Sequence, residues 1–212
     1  MLSIVRYAEG MQVVLPEQAL PARLALNPEL QMSDDEFFAF CVANPDVDFE
    51  RTAEGEIIIV PPAGMESDHR SAEVVIQLGI WARRHSGKVF GSSVKFILPT
   101  GAALSPDAAW VSGGRLAKIS KEQKRKFPRL CPEFVVEVMS PSDRLPAAMK
   151  KMQEWLRGGV DLGWLIHGDE RAIYIYRAGQ AEPEVRSGVG TVAGEGPVAG
   201  FELDLAGIWA GL

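Results

Sequence analysis

Glu73, Asp107, Glu137 and Lys151 are the residues whose type and placement could do chemistry. Glu137 stands out because it interrupts the run Phe134, Val135, Val136, Val138, which reads as a strand buried on both faces. A carboxylate there is costly unless a cation, a metal or hydrogen bonds meet it, and an arginine or backbone amides could also satisfy it. Side chains alternate along a strand, so Glu137 and Met139 share a face on which a third group could complete a site. Asp107 follows Pro106 and opens the short apolar strand Ala108, Ala109, Trp110, Val111, so its carboxylate is carried to the rim of the sheet. Carboxylates on neighbouring strands can hold Mg²⁺, which takes oxygen ligands and keeps several waters. A lysine beside them can orient the attacking water or help deprotonate it, and can offset the charge that develops during phosphodiester hydrolysis. No glycine-rich phosphate loop, Ser/His/Asp elbow or His- or Cys-rich cluster offers a competing chemistry.

The elements that must position these groups can be read in outline. After Glu137, the run Ser140-Pro141-Ser142-Asp143 ends the strand and offers capping oxygens to a helix over 146–157, closed by Gly158-Gly159. Lys151 sits within that helix's apolar stripe of Ala148, Met152, Trp155 and Gly159, so it needs an acidic partner or must snorkel outward; Lys150 reads as a surface lysine. A first long helix over 67–85 carries the stripe Val74, Leu78, Trp81, Ala82. Glu73 and Gln77 flank this stripe, either reaching the edge of a site or pointing into water, and His69 is either a cap-region hydrogen-bonder or a substrate contact. Ser33 or Asp34 caps a shorter helix that ends before Pro45, and a hairpin turns at Glu54-Gly55. Two strands over 87–101, a strand pair in LGWLIHG and RAIYIYRAG, and short edge strands in the glycine-rich tail complete the pattern. Residues 1–30, with Pro16, Pro21 and Pro28 and no sustained period, read as an arm wrapped on the body or on a partner, before a single domain over 31–212.

An apolar content of 47% suits one globular core, no apolar run is long enough to span a bilayer, and a soluble cytoplasmic protein is expected. Cys41 and Cys131 have neither the spacing of a zinc site nor the number for a disulfide framework. The net charge of −6 conceals an uneven distribution: residues 115–129 hold seven basic residues against one acidic, a local +6 that leaves −12 elsewhere. That segment, with Lys118, Lys121, Lys124 and Arg125, is either a dock for a polyanion or a solvated helix face.

In order along the chain, LSPDAAWV, CPEFVVEVMSPSD, KKMQEWLRGGVDLGWLI and GPVAGFELDL closely resemble the Uma-two family of restriction-endonuclease-like proteins, within the PD-(D/E)XK nuclease superfamily, from about Ser33 onward. Pro106-Asp107 matches the superfamily's PD and Glu137 its second acid. Where the usual lysine stands two residues later this chain has Met139, and Lys151 occupies the place of a lysine migrated to the next helix. Glu73 matches the acid of the first core helix. The resemblance implies an α/β (α+β) fold, a mixed sheet flanked by helices with an extra N-terminal hairpin and C-terminal edge strands. It also implies Mg²⁺- or Mn²⁺-dependent cleavage of DNA by Asp107 and Glu137 as metal ligands, with Glu73 and Lys151 assisting, and a homodimer with one site per strand. Two other readings stand beside it: a nuclease-fold module that binds without cleaving, and a Glu137–Lys151 ion pair with a purely structural role.

Overall fold

A computed structural model describes residues 32–212 in full and, before them, the strands β1 (Leu2–Arg6), β2 (Gln12–Pro16) and β3 (Ala22–Leu24). The remainder of the expected arm lies outside the described residues. Two sheets organise the chain. The larger has six strands: β6 (Gly87–Gly91), β9 (Ala108–Ser112), β10 (Phe134–Val138), β11 (Leu162–His167), β12 (Ala172–Arg177) and β13 (Glu184–Ser187), in the order β13-β12-β11-β10-β9-β6. Only β10 and β11 run parallel, because helix α4 (Leu145–Arg157) carries the chain back between them. All five residues of β10 are buried, as its central position requires.

The second sheet joins β3 to β5 (Ile57–Val60), β4 (Asp48–Arg51), β8 (Ala103–Leu104) and β7 (Phe96–Ile97). The hairpin at Glu54-Gly55 is therefore no appendage; β4 and β5 are the middle of this sheet. Helix α1 (Asp34–Ala43) covers one of its faces with Phe37 and Phe40 against Phe49, Ile57 and Ile59. Ser33 caps α1 through a reciprocal bond with Glu36, as its sequence signature indicates.

The six-stranded sheet is covered on both faces. Helix α2 (Met65–Ala82) lays Val74, Leu78 and Ala82 on one face, beside Ala108, Val136 and Trp164. Phe201, stacked on Trp164, and the following Leu203, Leu205 and Ile208 extend that layer. Helix α4 packs Met152 and Trp155 on the other face, against Val135, Leu165 and Phe96. It approaches closely because Gly163 of β11 has no side chain: a Cβ there would stand 2.4 Å from Met152 Cε. Gly159, at φ 99, then turns the chain into β11. Among the described residues no helix is long and apolar enough to cross a membrane.

Two local expectations are corrected. Neither Ser140, Ser142 nor Asp143 caps α4, whose N-cap is Arg144 without a side-chain bond. Asp143 instead accepts from Ser140 N–H at 2.7 Å, closing the turn that ends the strand. The basic segment is not one helix but α3 (Gly113–Ala117), a single 3₁₀ turn and loops.

Candidate active site

The alternation of β10 turns Val136 and Val138 toward α2, and Val135 and Glu137 toward α4. In β9 the same rule puts Ala108 with α2 and Ala109 with α4, so Asp107, two residues before Ala109, stands on the α4 side. Asp107 is fixed by Val138 N–H, which donates to its Oδ2 at 2.7 Å across the end of the strand pair. Glu137 is 8% exposed, and each of its oxygens has a donor: Trp155 Nε1 to Oε1 at 2.7 Å, Lys151 Nζ to Oε2 at 3.1 Å. Both donors come from one face of α4, one turn apart, which is why Lys151 falls inside the apolar stripe.

Lys151 Nζ has a second carboxylate partner, absent from the sequence reading. Glu50 of β4 is 5% exposed and its Oε1 lies 2.8 Å from the ammonium. The link between the sheets is Ser105, just after β8. Its N–H donates to Glu50 Oε1 at 3.0 Å and its carbonyl accepts from Lys151 Nζ at 2.8 Å. Two residues further on is Asp107, so one short segment joins Glu50, Lys151 and the rim of the larger sheet. Phe49 and Arg51 alternate with Glu50, a pattern that equally suits a strand with one solvent face. The continuous apolar run Ile57, Ile58, Ile59, Val60 on its partner was the signal that both faces are covered.

Glu73 and His69 are not brought to this cluster. α2 lies on the opposite face of the sheet, and Gln77, one turn after Glu73, exchanges hydrogen bonds with the backbone of Asp204 in the carboxy-terminal segment. Of the basic segment, Arg115 pairs with Glu133 at 3.1 Å, Lys126 with Asp35 at 2.9 Å, and Arg129 with Asp34. Lys118, Lys121, Lys124 and Arg125 are exposed without ion pairs among the described residues. Lys118 also lines, with Arg115 and Arg129, an open cleft of about 410 Å³ beside Gly158 and Gly159, which none of the clustered acids reaches. Met139 is a buried packing residue at 5% exposure and contributes no polar group.

The electrostatics follow from two buried acids, Glu50 and Glu137, and the half-buried Asp107 around one ammonium. Burial pushes Asp107 above the ordinary aspartate value, against the opposing pull of Lys151 and Val138 N–H. Burial likewise pushes Glu137 up to about 8, opposed by Lys151 and reinforced by Asp107 and Glu50. For Lys151, burial disfavours the charge, but Glu137, Glu50 and Asp107 outweigh it and hold its pKa above the ordinary lysine value. The ammonium is thus permanent. The acids have more negative charge than it can balance, and Ser105 Oγ beside them is buried with no partner among the described residues. Hard carboxylate oxygens short of positive charge fit Mg²⁺ or Mn²⁺, which one or two carboxylates and water suffice to hold. Among the described residues no three His, Cys, Asp or Glu side chains stand close enough to form a metal cage.

A mixed sheet flanked by helices, with an acid inside a central strand and another at the rim of its neighbour, is a restriction-endonuclease-like arrangement. The chain belongs to the Uma2 family, described as Putative restriction endonuclease, which matches residues 34–206. The fold is also that of a solved structure described as a putative nuclease belonging to DUF820 from Anabaena variabilis. That structure has a TM-score of 0.68 and 20% identity, covering 84% of this chain and 98% of the other. No curated protein matches the chain. Family membership supports a nuclease.

The raised Glu137 sets a direction for stability against pH. The folded chain keeps that proton to about pH 8, whereas the unfolded chain gives it up near 4.5. Between those values the folded state binds the extra proton, so stability falls as pH rises, by at most about 1.4 kcal/mol per pH unit. Urea denaturation at pH 5, 6.5 and 8 is expected to show this decline, and Glu137→Gln to flatten it; a wild-type stability that rises over this range contradicts the assignment.

Proposed function

We propose that this chain is a divalent-metal-dependent endodeoxyribonuclease in which Asp107 and Glu137 hold Mg²⁺ or Mn²⁺ and Lys151 positions the attacking water. The observation that carries this reading is the Lys151 ammonium, which reaches Glu137 from α4 although position 139, where the related motif has lysine, is methionine. When bound, the metal supplies Lewis-acid polarisation of the phosphoryl oxygen and a more acidic water.

The chain's own residues do the positioning. Lys151 stays charged, so it offsets negative charge on the phosphorane-like transition state instead of acting as the base, and it orients the nucleophile by giving up one of its three present acceptors. Glu50 and the Ser105 carbonyl fix the ammonium from the far side, leaving it little freedom to swing away from Glu137. Trp155 orients the Glu137 carboxylate, and Val138 N–H does the same for Asp107. The exposed Lys118, Lys121, Lys124 and Arg125 supply contacts to the phosphate backbone.

Cleavage of supercoiled and single-stranded DNA with Mg²⁺ or Mn²⁺ tests the reading. Metal-dependent nicking is expected, lost by about 100-fold or more in Asp107→Ala and Lys151→Ala proteins that keep the wild-type circular dichroism spectrum. A wild type that binds metal yet cuts no substrate supports the non-cleaving module instead. For the basic segment, the slope of log affinity against log salt on duplex DNA is expected to fall by about 2 in the Lys121→Ala, Lys124→Ala double variant. An unchanged slope removes those lysines from the DNA contact.

A further inference from the structure

The six-stranded sheet ends on β6 at one side and on β13 at the other. Helices α2 and α4 cover its two faces, so a rod as wide as a nucleic-acid duplex reaches Asp107 and Glu137 only along an edge. The two edges differ in charge. Beside β13, Glu182 and Glu184 are exposed, and Arg177 and Arg186 both pair with Glu184, at 2.8 and 2.7 Å. Beside β6 the sign reverses. Between Glu73 and Asp107 the chain has no aspartate or glutamate, although it holds 28 of them in all.

Among the described strands β6 pairs with β9 alone, and Ser86, Lys88, Ser92 and Ser93 along it are exposed. Such an edge presents backbone N–H groups and hydroxyls, donors that fit phosphate oxygens. Arg83 and Arg84 stand at one end; like Lys88 they are exposed and carry no ion pair among the described residues. The Ser86 carbonyl accepts from Gly113 N–H at 3.2 Å, which joins this end to the start of the basic segment that leads to Lys118. The other end meets the acid cluster. Gly91 pairs with Ala108, and a Cβ on Gly91 would stand 4.0 Å from the Asp107 carbonyl oxygen. A cationic end, a polar edge and the rim of the site thus follow one line.

We infer that the free edge of β6 is the track along which a DNA duplex reaches the acid cluster, gripped by Arg83, Arg84 and Lys88 at the end away from the acids. The inference rests on the nuclease reading and adds to it the path and reach of the substrate. The five residues of β6 span about 17 Å, the rise of about five base pairs, so the grip falls about that far from the scissile phosphate.

Binding is measured on the Asp107→Ala chain, which leaves the duplex uncut. The slope of log affinity against log salt is expected to fall by about 3 when Arg83→Ala, Arg84→Ala and Lys88→Ala are added, with the melting temperature unchanged. A photoreactive residue at position 92 is expected to capture the duplex, and one at position 185, on the opposite edge, to leave it free. An unchanged slope, capture at 185 and not at 92, or capture of a second polypeptide at 92 overturns the track. So does a chain that binds no duplex, or one that prefers RNA of the same sequence. Cleavage by the wild type reports on the nuclease reading separately. Nicking with an unchanged slope overturns the track alone, whereas a duplex captured at 92 but never cut upholds the track and overturns the nuclease reading.

Discussion

One ammonium balances the interior of this molecule. Lys151 enters from α4 between Glu137 of the larger sheet and Glu50 of the smaller, and both acids are almost fully buried. Removing the cation would leave uncompensated carboxylates in an apolar setting, so the geometry around it is highly constrained. Trp155, one turn along α4, accompanies Lys151 to Glu137, and Ser105 bridges the ammonium to Glu50 through its own backbone. The two sheets are therefore joined at the site itself. Any change in the seat of α4, such as a side chain at position 163 pushing Met152 outward, would be felt at the acids.

The same charge count explains why the cluster is suited to a divalent cation. Three acids against one base leave a deficit of positive charge that burial magnifies, and Glu137 meets it by keeping a proton to about pH 8. That proton and the metal proposed here would compete for the same oxygens. Lys151, held above the ordinary lysine value, cannot relieve the deficit by changing its own state. The core-facing half of the cluster is fully bonded, whereas at the rim Asp107 Oδ2 is tied only to Val138 N–H among the described residues.

Much of this was legible because charge interrupted an apolar period. Glu137 within a valine run and Lys151 within a helix stripe each broke a pattern, and each break marks a residue of the cluster. Glu50 escaped because it broke nothing: in Asp48, Phe49, Glu50, Arg51 the alternation suits a half-exposed hairpin, and only the packing of β4 in the middle of a second sheet buries it. Glu73 was misleading for the converse reason. Its helix and spacing agreed with a site, but the layer order puts α2 across the sheet from α4. The pairing of Arg115, Lys126 and Arg129 with acids up to 95 positions away was also hidden, since local charge counts do not register partners distant in sequence. The turn at Ser140–Asp143 was placed correctly but its bonding was not, because Asp143 reaches back to Ser140 and not forward to the helix.

The central claim, that buried acids around Lys151 hold a proton in the place a divalent cation would take, is tested most directly by calorimetric titration with Mn²⁺ at pH 7. The titration is run in two buffers of different ionisation enthalpy. The account predicts binding accompanied by release of close to one proton per metal, about 0.9 for a group titrating near 8, and loss of that release in Glu137→Gln. Binding with no proton release from the wild-type chain, or no binding at all, would contradict it.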